Sequence, residues 1–147
     1  KRIEDVDLMS YDGNRHHLHE LLGDLTLLSF WFPSCAPCRI ELPRLEQLWR
    51  SYRDDGFVVI AVEVMGERER AEQFIEENSL PFKFAEARGD NNAVMEKFGI
   101  REFPTSLLID GDGRILWCHT GFKAGDEMEL EKEILDLNGR AASTTRS

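Results

Sequence analysis

The chain reads Pro33-Ser34-Cys35-Ala36-Pro37-Cys38-Arg39-Ile40-Glu41-Leu42-Pro43 directly after an apolar run, Leu25-Thr26-Leu27-Leu28-Ser29-Phe30-Trp31-Phe32. The apolar run is typical of a buried strand, and the residues after the first cysteine are typical of a helix start. Two cysteines at this spacing suit reversible thiol–disulfide chemistry, because the second sulfur waits within bonding distance of the first. The start of a helix also favours a thiolate over a thiol.

The composition limits the other classes of function. The chain has 147 residues, with 18 Lys and Arg against 28 Asp and Glu, and a formal net charge of -10. This length predicts one domain over residues 1–138, followed by a flexible tail at 139–147. An acidic chain is not expected to bind nucleic acid. The sequence has no apolar stretch of the roughly 20 residues that a membrane span needs.

Hydrophobic periods of two and of about 3.6 alternate along the chain and predict an α/β domain, with a mixed sheet flanked by helices on both faces. The predicted strands are 6–10, 15–19, 25–32, 57–62, 82–85, 105–109 and 114–119. The predicted helices are 36–54, 67–78, 91–98 and 126–137. Turn residues at 12–14 and 110–113 predict two hairpins. The pattern does not give the order of the strands in the sheet.

The chain resembles the thioredoxin-like superfamily, and within it the ResA/TlpA/DsbE branch of extracytoplasmic thiol–disulfide oxidoreductases. The matching residues run from Leu28 to Arg39, with Glu41 and Pro43 at the offsets typical of the branch. The segment Phe103-Pro104-Thr105 is similar to the one that carries the family's cis-proline. The opening resembles the extra N-terminal β-hairpin of the branch. The resemblance covers roughly residues 3–137 and implies a thioredoxin fold.

The resemblance also implies roles for the residues of the CxxC helix. Cys35 would be the attacking thiolate, and Cys38 would resolve the mixed disulfide. Glu41 lies three residues after Cys38, so a partly buried carboxyl group there could exchange a proton with that thiol. The alternative is an exposed Glu41 that forms an ion pair with Arg39 or Arg44.

A substrate-contacting surface around the two cysteines is implied in the same way. Phe103 would pair with substrate through its backbone, beside a cis peptide bond to Pro104. Trp31 is also expected to be a core residue beneath the site. The residues assigned to the surface are Trp31, Ala36, Pro37, Phe103 and Pro104.

Two positions depart from the family pattern. Ser34 stands where family members usually carry a tryptophan, immediately before the first cysteine. Ser29 stands where thioredoxin has a buried aspartate and where the branch often has asparagine.

One cysteine and three histidines outside the motif carry groups that could also take part in chemistry. Cys118 lies in an alternating strand and is expected to be a small buried apolar residue, the alternative being a regulatory or third redox thiol. His16, His17 and His19 are predicted on one strand, where solvated side chains are expected rather than metal ligands.

The sequence therefore predicts a thiol–disulfide oxidoreductase that reduces protein disulfides through Cys35 and Cys38, with cytochrome c maturation as a task implied by the resemblance. The expected partners are protein thiols or disulfides and an upstream thiol electron donor. A monomer is expected, without a dissociable cofactor or a metal, and located outside the cytoplasm; any membrane anchor would lie outside the given sequence. Two alternatives stay open: a chaperone that holds Cu(I) or Zn through both cysteines and a histidine, and a thioredoxin-fold interaction module without redox activity.

Overall fold

The structure is a computed structural model that describes residues 2–87 and 90–145. Its strands are β1 (Asp7–Ser10), β2 (Arg15–His17), β3 (Leu25–Trp31), β4 (Phe57–Glu63), β5 (Lys83–Ala87), β6 (Thr105–Asp110) and β7 (Ile115–Thr120). Its helices are α1 (Leu18–Leu21), α2 (Ala36–Tyr52), α3 (Arg68–Glu77), α4 (Asn91–Phe98) and α5 (Asp126–Thr145). A 3-10 turn, Arg53–Asp55, follows α2.

The strands of the described residues form one mixed sheet in the order β2-β1-β5-β4-β3-β6-β7. The three strands β3, β4 and β5 are parallel, and α2 and α3 supply the crossovers between them. The other neighbours are antiparallel, including the N-terminal hairpin, which pairs with β5. This is the mixed α/β architecture that the sequence predicts, with the extra hairpin at one edge and β7 at the other.

Each face of the sheet has its own buried cluster, because successive side chains of a strand point to opposite faces. Leu27 and Trp31 of β3 face the cluster that contains Leu42 of α2 and Ile134 of α5. Leu28 and Phe30 face the opposite cluster, which includes side chains of α1 and α4. Every residue of β3 is buried, as expected for a central strand covered on both sides.

Two segments have a secondary structure different from the one predicted. The second strand ends at His17, and His19 lies in the short helix α1. The helix forms there because Glu20 accepts a hydrogen bond from the backbone N–H of His17, which caps the first turn. The last helix extends to Thr145, where the sequence predicts an end at Leu137 and then a flexible tail.

The longer final helix has a local cause. The residues after Leu137 contain no proline and include Ala141 and Ala142, which have the highest helix propensity. Residues 146–147 of the predicted tail lie outside the described residues, and the flexibility of the tail stays a prediction. Within the described part of the chain, none of the helices combines the length and the apolar character that crossing a membrane requires.

Candidate active site

Cys35 and Cys38 form a disulfide at the start of α2, with their Cα atoms 5.3 Å apart. Cys35 is the N-cap residue, and its sulfur accepts a hydrogen bond from the backbone N–H of Cys38 at 3.3 Å. Pro37 occupies the first turn, where a helix needs no N–H from it. The helix start therefore directs an N–H group and its partial positive charge at the sulfur of Cys35.

The two cysteines differ in their access to solvent. Cys35 is 6% exposed and Cys38 is fully buried. Ala36, beside Cys35, is exposed, and Pro37 is half-buried. An incoming sulfur can therefore approach Cys35, while Cys38 is reached only from within the protein.

Phe103 and Pro104 lie at the end of β3 from which the CxxC segment departs, because Thr105 of β6 pairs with Phe30. The Phe103–Pro104 peptide bond is cis, as the resemblance implies. Pro104 is buried, whereas Phe103 is half-buried and packs edge-on against Phe32 with 5.1 Å between ring centroids. Of these two, Phe103 is the residue with side-chain surface available to a substrate.

Trp31 is wrongly predicted to contact substrate. Its side chain is fully buried and packs against Phe74 and Phe84, with ring centroids 5.6 and 5.9 Å away. The reason is its position at the end of β3 on the face that α2 and α3 cover. Trp31 is the core residue beneath the site that the sequence also predicts.

Glu41 lies inside the protein, one helical turn after Cys38. Its carboxyl group is 2% exposed, and its two oxygens accept hydrogen bonds from the hydroxyls of Ser29 and Ser106, each at 3.0 Å. Burial raises the pKa of Glu41 to about 7, although both hydrogen bonds act in the opposite direction. Near neutral pH both the acid and the carboxylate are therefore populated.

The alternative interpretation of Glu41 as an exposed ion-pair residue is wrong. Arg44 pairs instead with Glu127 of α5 at 2.7 Å. Arg39 is exposed, with its guanidinium 5.4 Å from the centroid of the Phe74 ring. Neither guanidinium group therefore forms an ion pair with Glu41.

Sequence reasoning missed three residues that the fold brings near Glu41. Ser106 of β6 lies opposite both Ser29 of β3 and His119 of β7. The His119 Nε2 atom lies 3.1 Å from Oδ2 of Asp126, the first residue of α5. These residues carry no recognisable motif, and the antiparallel register that joins them is not visible in the sequence.

A shallow cleft of about 230 Å³ lies beside Cys35, between the CxxC segment and α3. The Ser34 hydroxyl donates a hydrogen bond to Glu67 at 2.7 Å and accepts one from Arg70 at 3.2 Å. The position at which the family usually carries tryptophan therefore holds a polar bridge between the segment before Cys35 and the start of α3. The residues that line the cleft are Pro33, Ser34, Arg39, Arg70, Gln73, Phe74 and Glu77.

A second buried carboxylate, Glu63, holds the loop that leads into α3. It accepts hydrogen bonds from the backbone N–H groups of Met65, Gly66 and Glu67, at 3.0, 2.9 and 3.3 Å. Burial raises the pKa of Glu63, against the effect of these three donors. This anchor fixes one wall of the site.

The other side chains named from the sequence lie away from the disulfide. Cys118 is a free, exposed cysteine, so its predicted burial is wrong: it lies on an edge strand, on the face opposite His119. His16 lies near Ser10, His17 near Asp7 and His19 near the carbonyl of Ile3, so the three histidines have separate partners. The described residues contain no group of three or more His, Cys, Asp or Glu side chains that could hold a metal ion.

Comparison with known proteins supports the family resemblance that the sequence indicates. The AhpC/TSA family matches residues 1–118. The thiol–disulfide oxidoreductase ResA of Halalkalibacterium halodurans is 32% identical over 130 residues, which cover 88% of this chain and 71% of the relative. The ResA protein of Geobacillus thermodenitrificans is 30% identical over 131 residues, covering 89% of this chain and 74% of the relative.

Solved structures extend the likeness to the whole fold. A Chlorobium tepidum protein assigned as the thiol:disulfide interchange protein DsbE superposes with a TM-score of 0.82 at 30% identity, covering 94% of this chain and 96% of that one. The thioredoxin domain of a thiol–disulfide oxidoreductase from Bacteroides vulgatus superposes with a TM-score of 0.79 at 26% identity, covering 92% and 95%. The chain therefore belongs to the AhpC/TSA family and is, by its fold, its CxxC pair and these relatives, a thiol–disulfide oxidoreductase.

Proposed function

We propose that this oxidoreductase works as a reductant of disulfides in other proteins, outside the cytoplasm. The observation that carries the exchange chemistry is the asymmetry of the CxxC pair, and reduction is the direction that the resemblance implies. Cys35 caps α2 and reaches the surface, while Cys38 is buried one turn from a carboxyl group with both protonation states available. An accessible attacking sulfur and a shielded resolving sulfur are what a two-step exchange requires.

The first step joins the protein to its substrate. The Cys35 thiolate attacks one sulfur of a substrate disulfide, so that a mixed disulfide forms and the other substrate sulfur leaves as a thiolate. The backbone N–H of Cys38, which points at the Cys35 sulfur at 3.3 Å, stabilises the thiolate before the attack.

The second step releases the substrate. Cys38 loses its proton and attacks the Cys35 sulfur, which forms the Cys35–Cys38 disulfide and expels the second substrate thiolate. Two electrons have then passed from the dithiol to the substrate. We assign Glu41 as the group that takes the Cys38 proton, because its pKa of about 7 lets its carboxylate form act as a base near neutral pH. An upstream thiol donor restores the dithiol.

The substrate surface in this proposal surrounds Cys35. Ala36 and Pro37 present exposed or half-buried surface on one side, and Phe103 does so on the other. The cleft lined by Ser34 and Arg70 continues this surface along α3. Cytochrome c maturation is the task that the resemblance implies, and it stays a prediction, as do the monomeric state and the absence of a dissociable cofactor.

A redox titration in glutathione and dithiothreitol buffers, followed by Trp fluorescence and by the mass shift of trapped thiols, tests the proposal. We expect a reversible two-electron transition with a potential near or below about -250 mV, as for a reductant; a value near about -120 mV would indicate an oxidant. Cys35→Ser should abolish the transition, and Cys118→Ser is the matched control that should retain it.

Two further measurements address the substrate and the alternatives. Reduction of a peptide with an oxidised Cys-x-x-Cys-His haem-attachment motif, compared with reduction of an unrelated disulfide peptide, tests the cytochrome c task. Stoichiometric copper or zinc in protein purified without chelator would favour the metal chaperone instead. A Cys35→Ser variant that keeps full activity would favour the interaction module without redox activity, because that activity would then not need the cysteine.

A further inference from the structure

A row of polar side chains crosses the sheet beneath α2. Ser29 lies opposite Ser106, and Ser106 lies opposite His119, on the neighbouring strands β3, β6 and β7. Directly opposite residues on antiparallel strands point to the same face, with Cβ atoms about 4.5–5.5 Å apart. Glu41 contacts the inner end of this row through both serines, and Asp126 contacts the outer end through His119.

The row leads from the interior to solvent. Ser29, Ser106 and Glu41 are buried, whereas the side chains of His119 and Asp126 are 36% and 16% exposed. His119 is therefore the member of the row at which solvent pH can act directly. Histidine is also the side chain whose charge normally changes between pH 5 and 8.

The imidazole of His119 is held in place from two directions. Its Nε2 atom lies 3.1 Å from the Asp126 carboxylate, and its ring stacks on Trp117 with an interplanar angle of 8°. Asp126 is itself fixed, because it accepts a hydrogen bond from the backbone N–H of Lys123 at 2.9 Å. A charge on this ring therefore has a defined position relative to the buried carboxyl group.

The other charged or titratable groups around Glu41 are few among the described residues. Strands β3 and β6 present only the two serine hydroxyls to it. On α2 the neighbours are the two cysteines and Arg44, and Arg44 is paired with Glu127 of α5 at 2.7 Å. Strand β7 contributes His119, and the start of α5 contributes Asp126. A protonated His119 favours the carboxylate of Glu41, and Asp126 opposes this effect.

We propose that His119, held by Asp126 and Trp117, is a positioning residue that couples the charge of Glu41 to the pH of the solvent and so sets the pH range of rapid thiol–disulfide exchange. The inference rests on the proposed function, in which Glu41 takes the proton of Cys38. The relation is electrostatic: His119 does not touch the reacting sulfurs but changes how readily the buried carboxyl group gives up its proton.

The first test follows the ¹³C signal of the Glu41 carboxyl group by NMR in the reduced protein during a pH titration. For His119→Gln we expect the midpoint to rise, because a positive charge that favours the carboxylate is lost. For His119→Lys, which keeps a positive charge at every pH tested, we expect a midpoint below that of His119→Gln. If the side chain of His119 had only a structural role, the effect of its substitution on the Glu41 midpoint would not depend on the charge of the new side chain.

The matched control is His17→Gln. His17 is also a histidine paired with an aspartate, Asp7, at 2.8 Å, but it lies on β2 at the opposite edge of the sheet. The midpoint of Glu41 should be unchanged in this variant. Equal midpoints in the wild type, His119→Gln and His119→Lys would overturn the proposal.

The second test separates this inference from the function on which it rests. The pH dependence of the disulfide exchange rate should shift in His119→Gln in the same direction as the NMR midpoint, and the substitution should cause no further shift in a Glu41→Gln background. A moved NMR midpoint with an unmoved rate profile would confirm the coupling of charges but overturn the assignment of Glu41 as the proton acceptor.

Discussion

Ser29 and Ser106 lie opposite each other on β3 and β6, and each donates its hydroxyl hydrogen to a different oxygen of the Glu41 carboxyl group. The strand position at which thioredoxin carries a buried aspartate thus holds a hydrogen-bond donor in this protein. The acid comes instead from α2, the helix that carries both cysteines. Glu41 and Cys38 consequently belong to one rigid element, so their relative position does not depend on packing between elements.

Glu41→Gln should remove a pH-dependent loss of stability. Burial raises the pKa of Glu41 from 4.5 to about 7, so between these values the folded state holds a proton that the unfolded state has lost. The contribution is fully favourable below about pH 4.5 and is lost as the pH rises towards 7, where the free energy of unfolding has fallen by about 3 kcal/mol.

Urea unfolding of the wild type and Glu41→Gln at pH 5 and pH 8 measures this difference. The wild type should lose about 2.5 kcal/mol more than the variant between the two conditions. If both proteins show the same change, the carboxyl group does not have a raised pKa in the folded state.

Ser106→Ala should destabilise the protein more at pH 8 than at pH 5. At pH 8 Glu41 is mostly a carboxylate, and a hydrogen bond to a charged group contributes about 1.5–3 kcal/mol, compared with about 1 kcal/mol for a neutral pair. Ser51→Ala, at an exposed position of α2, is the control and should change the free energy of unfolding by less than about 0.5 kcal/mol. An equal loss for Ser106→Ala at both pH values would contradict this account.

Alkylation of the reduced protein should label Cys35 well before Cys38. Cys35 caps α2 and is partly accessible, whereas Cys38 is fully buried. Cys118 is exposed, but partial desolvation by its neighbours raises the pKa of its thiol, so at pH 7 it should react more slowly than Cys35. Iodoacetamide labelling followed by peptide mass spectrometry gives the order, and Cys118→Ser simplifies the analysis. Faster labelling of Cys38 would reverse the assigned roles.

Glu63→Ala should loosen the loop beside the active site. The substitution leaves the backbone N–H groups of residues 65–67 without their carboxylate acceptor, and a hydrogen bond to a charged group contributes about 1.5–3 kcal/mol. We expect a loss of at least about 2 kcal/mol in urea unfolding, together with faster hydrogen exchange of these amides. Glu69→Ala, at an exposed position of α3, should have almost no effect. Unchanged exchange at residues 65–67 would show that the carboxylate does not anchor the loop.

The sequence predicts most of the fold because its periodicity is strong. The apolar runs of β3 and β4 and both glycine-containing hairpin turns were predicted within two residues of their observed bounds. The alternating pattern continues through His19 and predicts a strand there, and only the capping contact of Glu20 shows that a helix begins at this point. Cys118 was expected to be buried because an alternating pattern does not reveal whether a strand lies at an edge of the sheet.

The candidate site was predictable only where its residues are local. Cys35, Cys38 and Glu41 share one helix, so their spacing places them together. Ser106 contacts Glu41, and His119 lies opposite Ser106, because β6 and β7 pair within the sheet. Both residues are 65 or more positions from Glu41 in sequence. Register of this kind is decided by the packing of the whole sheet, and no short motif encodes it.

The position of the N-terminal hairpin also affects how the molecule resists aggregation. A sheet edge with long, unpaired strands is a template for adding strands from another molecule. The hairpin pairs with β5 and leaves β2, a strand of only three residues flanked by charged and polar side chains, as the outermost strand on that side. The N-terminal hairpin thereby covers the edge of the central parallel strands. Its removal should expose β5 to pairing with strands of other molecules, and the protein should then aggregate sooner.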